Sequence, residues 1–264
     1  MEAISHISPS MLGLFCRCQE AFHRRYLEGE IIPPGIAAIT GTGMHKAAEL
    51  NFTQKITSGE DLPLSDMQDA ARDGYMEACQ KGVFVPKDEE ASFRTDLAKG
   101  LDRSVQLTKL FAERVAPTIQ PVASEQKMQA MHPALPVPLL GILDVRSEHA
   151  IHDLKTSSRK WSAGKEDGQL QPPIYRYLVQ ENLGTTLPFS FHVVSDKDVQ
   201  EIPAVTGQGD IEPIVMRAKA LLLSMQTGTF LPAEPGHWMC SPKWCGYFWT
   251  CPCVPAYKKF PSAE

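Results

Sequence analysis

The sequence predicts an α/β protein: a mixed central sheet flanked by helices, with a mainly helical N-terminal part and a cysteine-rich C-terminal clasp. Three observations carry this. Apolar residues recur at helical spacing up to Val115, and the period switches to that of strands after Pro117. A meander of strands, then a helix, then another strand implies a mixed sheet with helices on its faces. Six of the seven cysteines lie near the two chain ends, at 16 and 18 and at 240, 245, 251 and 253.

Taken in order, Ser8-Pro9-Ser10 reads as a helix start, with Ser8 as N-cap and Pro9 in the first turn. That helix is expected to run to about Glu28, followed by a linker through Pro33-Pro34. Gly41-Thr42-Gly43 leads into a second helix over Met44–Ile56, and Ser65–Lys81 and Asp88–Val115 read as two more. Strands are expected over Ile119–Met131, Leu139–Arg146 and Ala150–Lys155. A polar loop, Ser157–Gly168, leads to a helix from about Gln169 to Asn182. Strands at Phe189–Val194 and Val199–Pro203 and a helix over Asp210–Thr227 complete the regular part. The segments divide as 1–116, 117–228 and 229–264, within one domain.

The chain is organised around Gly141–Thr156, G-I-L-D-V-R-S-E-H-A-I-H-D-L-K-T. Apolar runs on either side of Ser147–His149 have the pattern of a tight hairpin. With Glu148 and His149 in the turn, Asp144 faces Asp153 across the ladder, and Lys155 emerges on the face of Asp153. Two carboxylates that close repel each other, and a divalent cation between them removes the penalty. D-x-K alone is equally the pattern of a solvated surface hairpin. The apolar neighbours Ile142, Leu143, Val145, Ile151 and Leu154 place this one in a core, where charges need a reason.

Hydrophobic content of 43%, charged content of 22% and a net charge of −5 describe an ordinary globular chain. They argue against indiscriminate polyanion binding and leave room for a local basic groove. No run approaches the roughly 20 apolar residues of a membrane helix, and no basic-then-apolar leader opens the chain, so a cytoplasmic location is expected. No G-x-x-x-x-G-K-[ST] phosphate loop is present.

Together these motifs resemble the PD-(D/E)XK nuclease superfamily, and within it the iron–sulfur-containing RecB-like exonucleases of phage and CRISPR-adaptation type. The residues carrying the resemblance are G-T-G-M-H ending in His45, G-I-L-D in Asp144, D-L-K in Asp153 and Lys155, and Q-P-P-I-Y at Gln171 and Tyr175. The resemblance implies a restriction-endonuclease-like sheet and metal-dependent cleavage of DNA, at single strands or duplex ends, in recombination, repair or phage or CRISPR DNA processing. It implies Mg²⁺ or Mn²⁺ held by Asp144, Asp153, the Leu154 carbonyl and His45, the imidazole favouring Mn²⁺. Lys155 would orient or deprotonate the attacking water. Gln171 and Tyr175, four apart on a helix, would contact DNA or hold Lys155. Glu125 and Glu49 are further candidates beside the metal, each equally read as an ordinary exposed glutamate. Arg159, Lys160 and Lys165, with Trp161, make the 157–168 loop a candidate DNA-contacting strap. A catalytically idle or partner-dependent subunit of a recombination or CRISPR-adaptation complex is the alternative.

The same resemblance implies a [4Fe–4S] cluster on Cys18, Cys240, Cys245 and Cys251, stapling the chain ends together. Four residues separate Cys240 from Cys245 where the family usually has two, so Cys16 or Cys253 could substitute. Zinc on four thiolates is the alternative. Arg24, Arg25, Trp244, Tyr247 and Trp249 would either shape a DNA channel or wrap the cluster in an apolar clasp.

Overall fold

The computed structural model of the chain describes residues 4–205, 210–234 and 236–255. Five strands form one sheet in the order β1-β2-β3-β4-β5: Pro121–Ala130, Leu139–Ser147, Ile151–Ser157, Phe189–Ser195 and Val199–Ala204. All neighbours are antiparallel except β3 and β4, which run parallel. That parallel pair is joined by a crossover through helix α6, Gln171–Leu183, as parallel strands require.

The N-terminal helices are α1 (Pro9–Arg17), α2 (Gln19–Phe22), α3 (Ile36–Ser58), α4 (Leu64–Gln80) and α5 (Phe93–Arg114); α7 is Ile211–Thr227. Helices α3, α4 and α5 bury Met44, Phe52, Met67, Leu107 and Phe111 against Val145, Leu154 and Val194 on one face of the sheet. Helices α1, α6 and α7 cover the other, with Leu12, Ile174, Leu178 and Leu221 packed on Leu143, Ile151 and Phe191. The sheet is thus sandwiched, as the mixed α/β reading expected.

Three helices differ from expectation: α5 starts at Phe93 and not at Asp88, after a separate turn over Lys87–Glu89, and the other two are the first and second expected helices. The first starts as predicted, with Ser8 Oγ accepting the Met11 N–H at 3.3 Å, but breaks at Cys18, whose backbone is extended (φ −162°, ψ 106°). A short helix and a wide π-helical turn over His23–Leu27 then carry the chain to Glu28. The second starts at Ile36, eight residues before Met44, so that Gly41-Thr42-Gly43 is interior helix. Glycine is tolerated there because other chains approach. A Cβ on Gly43 would lie 2.3 Å from Ser104 Oγ and 2.7 Å from the Ala71 carbonyl oxygen, and one on Gly41 2.7 Å from Thr156 Oγ1. The glycines trade helix propensity for close packing against α4, α5 and β3.

The far end of α3 is fixed by a buried polar knot. Lys55 Nζ lies 2.8 Å from Asp61 Oδ2 and donates to the Ala116 carbonyl oxygen at 2.8 Å, while Asn51 Nδ2 donates to Asp61 Oδ1 at 2.7 Å. The described residues beyond Gly228 form turns rather than helices or strands. They return to the N-terminus, where Tyr247, Phe248, Cys251 and Val254 bury against Ala21. No helix among the described residues is long and apolar enough to cross a membrane.

Candidate active site

The hairpin of β2 and β3 turns at Glu148-His149, closed by Ser147 N–H donating to the Ala150 carbonyl oxygen at 3.0 Å. Its register pairs Val145 with His152 and Arg146 with Ile151, the offset the sequence predicts. The ladder stops there. Instead of facing Asp153 across it, Asp144 turns its carboxylate along the strand, and Oδ2 accepts the Leu154 N–H at 2.7 Å. A side chain replaces a backbone acceptor, so the strands part and open a cleft.

Asp144, Leu154 and Lys155 line this cleft of about 630 Å³, with His45 and Glu49 from α3 and Glu125 from β1. His45 Nδ1 sits 3.7 Å from Asp144 Oδ2. Asp153 lies behind the wall, 1% exposed. Its Oδ1 accepts the Gln171 side-chain N–H at 3.1 Å, and the Lys155 ammonium presses on Oδ2, which has no other partner. Gln171 therefore holds Asp153 and not Lys155. Tyr175 is buried one turn along, its ring against Gly141 and Phe189; a Cβ on Gly141 would meet Tyr175 Cε1 at 2.6 Å.

The electrostatics follow from burial. Both aspartates are pushed above the usual carboxylate range, by burial first and, for Asp153, then by Asp144. Glu125 rises to about 7, from burial and then from Asp144 and Glu49. Burial pulls His45 down to about 4, which leaves its imidazole neutral at pH 7 and able to bind a metal. Five carboxylates (Asp144, Asp153, Glu125, Glu49 and Glu77) against three lysines (Lys155, Lys46 and Lys81) leave the site short of positive charge.

Glu125 also sits in strained backbone, with φ +47°, among non-glycine residues the one described case. It falls between the Ser124/Val145 and Gln126/Leu143 pairs of β1 and β2, level with Asp144. An L-residue there costs roughly 1–2 kcal/mol, and the distortion turns the carboxylate into the cleft. The lining also holds residues the sequence did not single out, Lys46 on α3, Glu77 on α4 and Lys81 just past its end. Glu77 and Lys81 form an i,i+4 pair at 2.7 Å, which in sequence reads only as a solvated helix face.

The oxygen-rich set fits a small divalent cation. Asp144 and Asp153 would supply carboxylate oxygens, one of them buried with only the ammonium against it, and His45 would supply a neutral nitrogen. No three His, Cys, Asp or Glu side chains among the described residues converge as a ready-made cage. Water would complete the shell, which is the habit of Mg²⁺ held by one or two carboxylates.

The basic loop is placed differently from expectation. Trp161 is buried against Phe191, ring centroids 5.2 Å apart, with its backbone N–H donating to Gln200 Oε1 at 2.7 Å. This ties the loop down, because an indole ring gains more from burial than from exposure. Lys160 pairs with Asp198, and Lys165 lies 4.7 Å from the centroid of the Trp161 ring. None of Arg159, Lys160 and Lys165 lines the acidic cleft.

A second cavity of about 630 Å³ lies where the chain ends meet, lined by Cys18, Cys240, Cys245, Cys251 and Cys253. None of them is joined in a disulfide. Burial raises the Cys245 thiol, and Cys240, Cys18 and Cys251 add to the rise, so these sulfurs feel one another. They do not close into a ligand set, and Cys16 faces another cleft. Two residues expected in a DNA channel are used internally. Arg24 bonds Glu30 Oε2 at 2.8 and 2.6 Å and lies 4.9 Å from the Tyr247 ring centroid, and Tyr247 donates its hydroxyl to the Glu30 carbonyl oxygen at 2.5 Å. Trp244 and Trp249 remain 54% and 37% exposed.

A mixed five-stranded sheet with its acids and lysine on the central hairpin defines the class as an α/β nuclease fold. The sequence model of the PD-(D/E)XK nuclease superfamily matches residues 6–252, and the chain belongs to that superfamily. No curated protein matches the chain. Among solved structures, a candidate exonuclease from Eubacterium rectale aligns with TM-score 0.57 at 15% identity, covering 87% of this chain and 85% of its own. That identity speaks to the fold alone. A second structure, SSO0001, aligns with TM-score 0.46 at 12% identity over 97% of this chain and 89% of its own.

Proposed function

We propose that the chain is a metal-dependent deoxyribonuclease of the RecB-like type, acting as an exonuclease on single-stranded DNA or duplex ends. The observation that carries this is the buried carboxylate network in which Leu154 N–H holds Asp144 and Gln171 holds Asp153 beside Lys155. In this reading Asp144, Asp153, His45 and the Leu154 carbonyl hold Mg²⁺ or Mn²⁺, and Glu125 and Glu49 supply further oxygens at the cleft. The bound ion supplies a Lewis acid and a water of lowered pKa.

The chain's own residues do the rest. Lys155 orients the attacking water through its ammonium and stabilises charge on the phosphate. Gln171 keeps Asp153 in place, and Tyr175 packs α6 against the glycine of β2, so the carboxylates hold their positions. Helices α3 and α4, which wall the cleft, narrow access to it, which favours free ends and unpaired strands.

Cys18, Cys240, Cys245 and Cys251 would bind a [4Fe–4S] cluster or a zinc ion, fastening residues 229–264 as a clasp on the 1–116 and 117–228 parts of a single domain. Support for this is the gathering of five cysteines on one cavity together with the family resemblance. Recombination, repair or CRISPR adaptation in the cytoplasm is the setting that the resemblance suggests.

The test is cleavage of end-labelled single-stranded, duplex and circular DNA by anaerobically purified protein with Mg²⁺, Mn²⁺ or EDTA. Metal-dependent loss of linear strands with circles spared is expected. Binding without cleavage under either metal would move the reading to an idle or partner-dependent subunit.

A further inference from the structure

A cleft of about 600 Å³ opens where α1 meets the start of α6 and one edge of α7. Among the described residues its charged lining is Arg17 and Arg217, with no carboxylate, although the chain carries a net charge of −5. Ser10 and Gln169 add neutral polar groups. The acidic cleft is lined by four carboxylates and three lysines, so the two regions differ in net sign as well as in position.

Among the described residues neither guanidinium has a carboxylate partner, and Arg217 also reaches the Cys16 thiol. Arg17 donates through Nε to the Gly13 carbonyl oxygen at 3.2 Å and through Nη1 to Met239 Sδ at 3.7 Å. Arg217 donates to the Pro213 carbonyl oxygen at 3.0 Å. Neither joins an ion pair among the described residues, whereas Arg24, Arg103, Arg114 and Lys160 each do. Two cations facing one cleft repel each other, and an anion between them would remove that cost. The guanidinium fork matches phosphate oxygens in particular.

Gln171 connects this cleft to the reaction. It lines the arginine cleft and donates its side-chain N–H to Asp153 Oδ1. Gln171 is thus shared between the lining of the arginine cleft and a carboxylate of the candidate active site.

We propose that Arg17 and Arg217 form a phosphate-holding subsite for the DNA strand, at a nucleotide beyond the one being cut. This rests on the deoxyribonuclease reading above and adds to it where the strand is gripped. The subsite would act on binding, since the arginines lie outside the cleft that holds the acids.

The experiment is fluorescence anisotropy of a labelled single-stranded oligonucleotide in EDTA, titrated over a range of NaCl, with the full chain and an Arg17→Ala/Arg217→Ala variant. Two lost phosphate contacts should lower the slope of log K against log[salt] by about 1.4. Affinity near physiological salt should fall about tenfold or more, from lost charged hydrogen bonds. Arg17→Lys/Arg217→Lys, which keeps the charge, should retain the slope, a rescue that a packing role would not give. Arg72→Ala/Lys99→Ala removes equal charge from α4 and α5 and should leave the slope in place. If the double alanine variant does not fold, Arg217→Gln carries the test, with about half the slope change. A wild-type slope and affinity in the charge-removing variant, with DNA still bound, overturns the subsite and leaves the nuclease reading standing. Wild-type protein that neither binds nor cuts DNA overturns both.

Discussion

The acidic cleft and the cysteine cavity have the same volume, about 630 Å³ each, and are built by opposite means. Around the cleft, every proposed ligand sits on a regular helix or strand and most are tied by hydrogen bonds to backbone or to one another. Around the cavity, all but Cys18 lie on turns, and the chain is fixed from outside by Arg24, Glu30 and Tyr247. A sheet and its helices hold polar groups at set positions without a ligand, because backbone hydrogen bonds have already ordered the chain. Turns hold four of the five thiols only as far as neighbouring packing does, and burial, then the neighbouring thiols, raises the Cys245 thiol. A metal bound in the cleft would serve chemistry; one bound by the cysteines would serve the fold.

The sharpest break of this comparison is Asp153→Asn. Cleavage should vanish, while the melting temperature holds or rises, because a buried carboxylate pushed above its normal range costs stability at neutral pH. A large fall in melting temperature would show that the cleft is a structural centre too. Cys245→Ser should do the reverse, lowering soluble yield and melting temperature by at least about 2–4 °C, the shift that one kcal/mol gives a chain of this size. Thermal melts and metal analysis of the purified variant check it, and an unchanged melt would remove the structural role of the thiols.

Gln171→Leu comes next. Losing the donor to Asp153 Oδ1 should cut activity or metal affinity about 10–100-fold with little change in folding. Steady-state cleavage titrated with Mn²⁺ reads it, and an effect on stability alone would make Gln171 a packing residue.

The smallest effect separates acid loss of activity from acid unfolding. His152 Nδ1 and His192 Nε2 lie 3.0 Å apart, and burial holds both near pKa 4, with His192 further lowering His152. The unfolded chain binds protons at about 6.5, so this pair adds stability above that pH and loses it as pH falls towards 4. Melting temperature should decline across that window, and His192→Gln should flatten the decline. An identical pH profile in the variant would assign the loss to other groups.

Much of the central hairpin was legible. Its turn, its register and the helices on both sides followed from short-range pattern, since strand alternation and helix spacing are local properties. Asp144 was not legible in the same way: the sequence set it opposite Asp153, and in the structure it takes the Leu154 amide because the ladder ends one residue earlier. Gly41 and Gly43 read as a lead-in loop, since only a neighbour at 2.3–2.7 Å explains glycine inside a helix. Trp161 read as a loop aromatic for DNA, and the Phe191 ring beneath it is 30 residues away in the chain.

By itself, the sequence determined the mixed α/β class, the central hairpin and the residue types of a metal-dependent hydrolase, because each depends on periodicity or spacing within a few turns. Only the tertiary structure decided that Glu125 is strained into the cleft, that Gln171 grips Asp153, that Arg24 and Tyr247 lock to Glu30, and that Arg17 and Arg217 share one cleft. Those are contacts between distant segments, set by how the layers pack, and no local pattern encodes them.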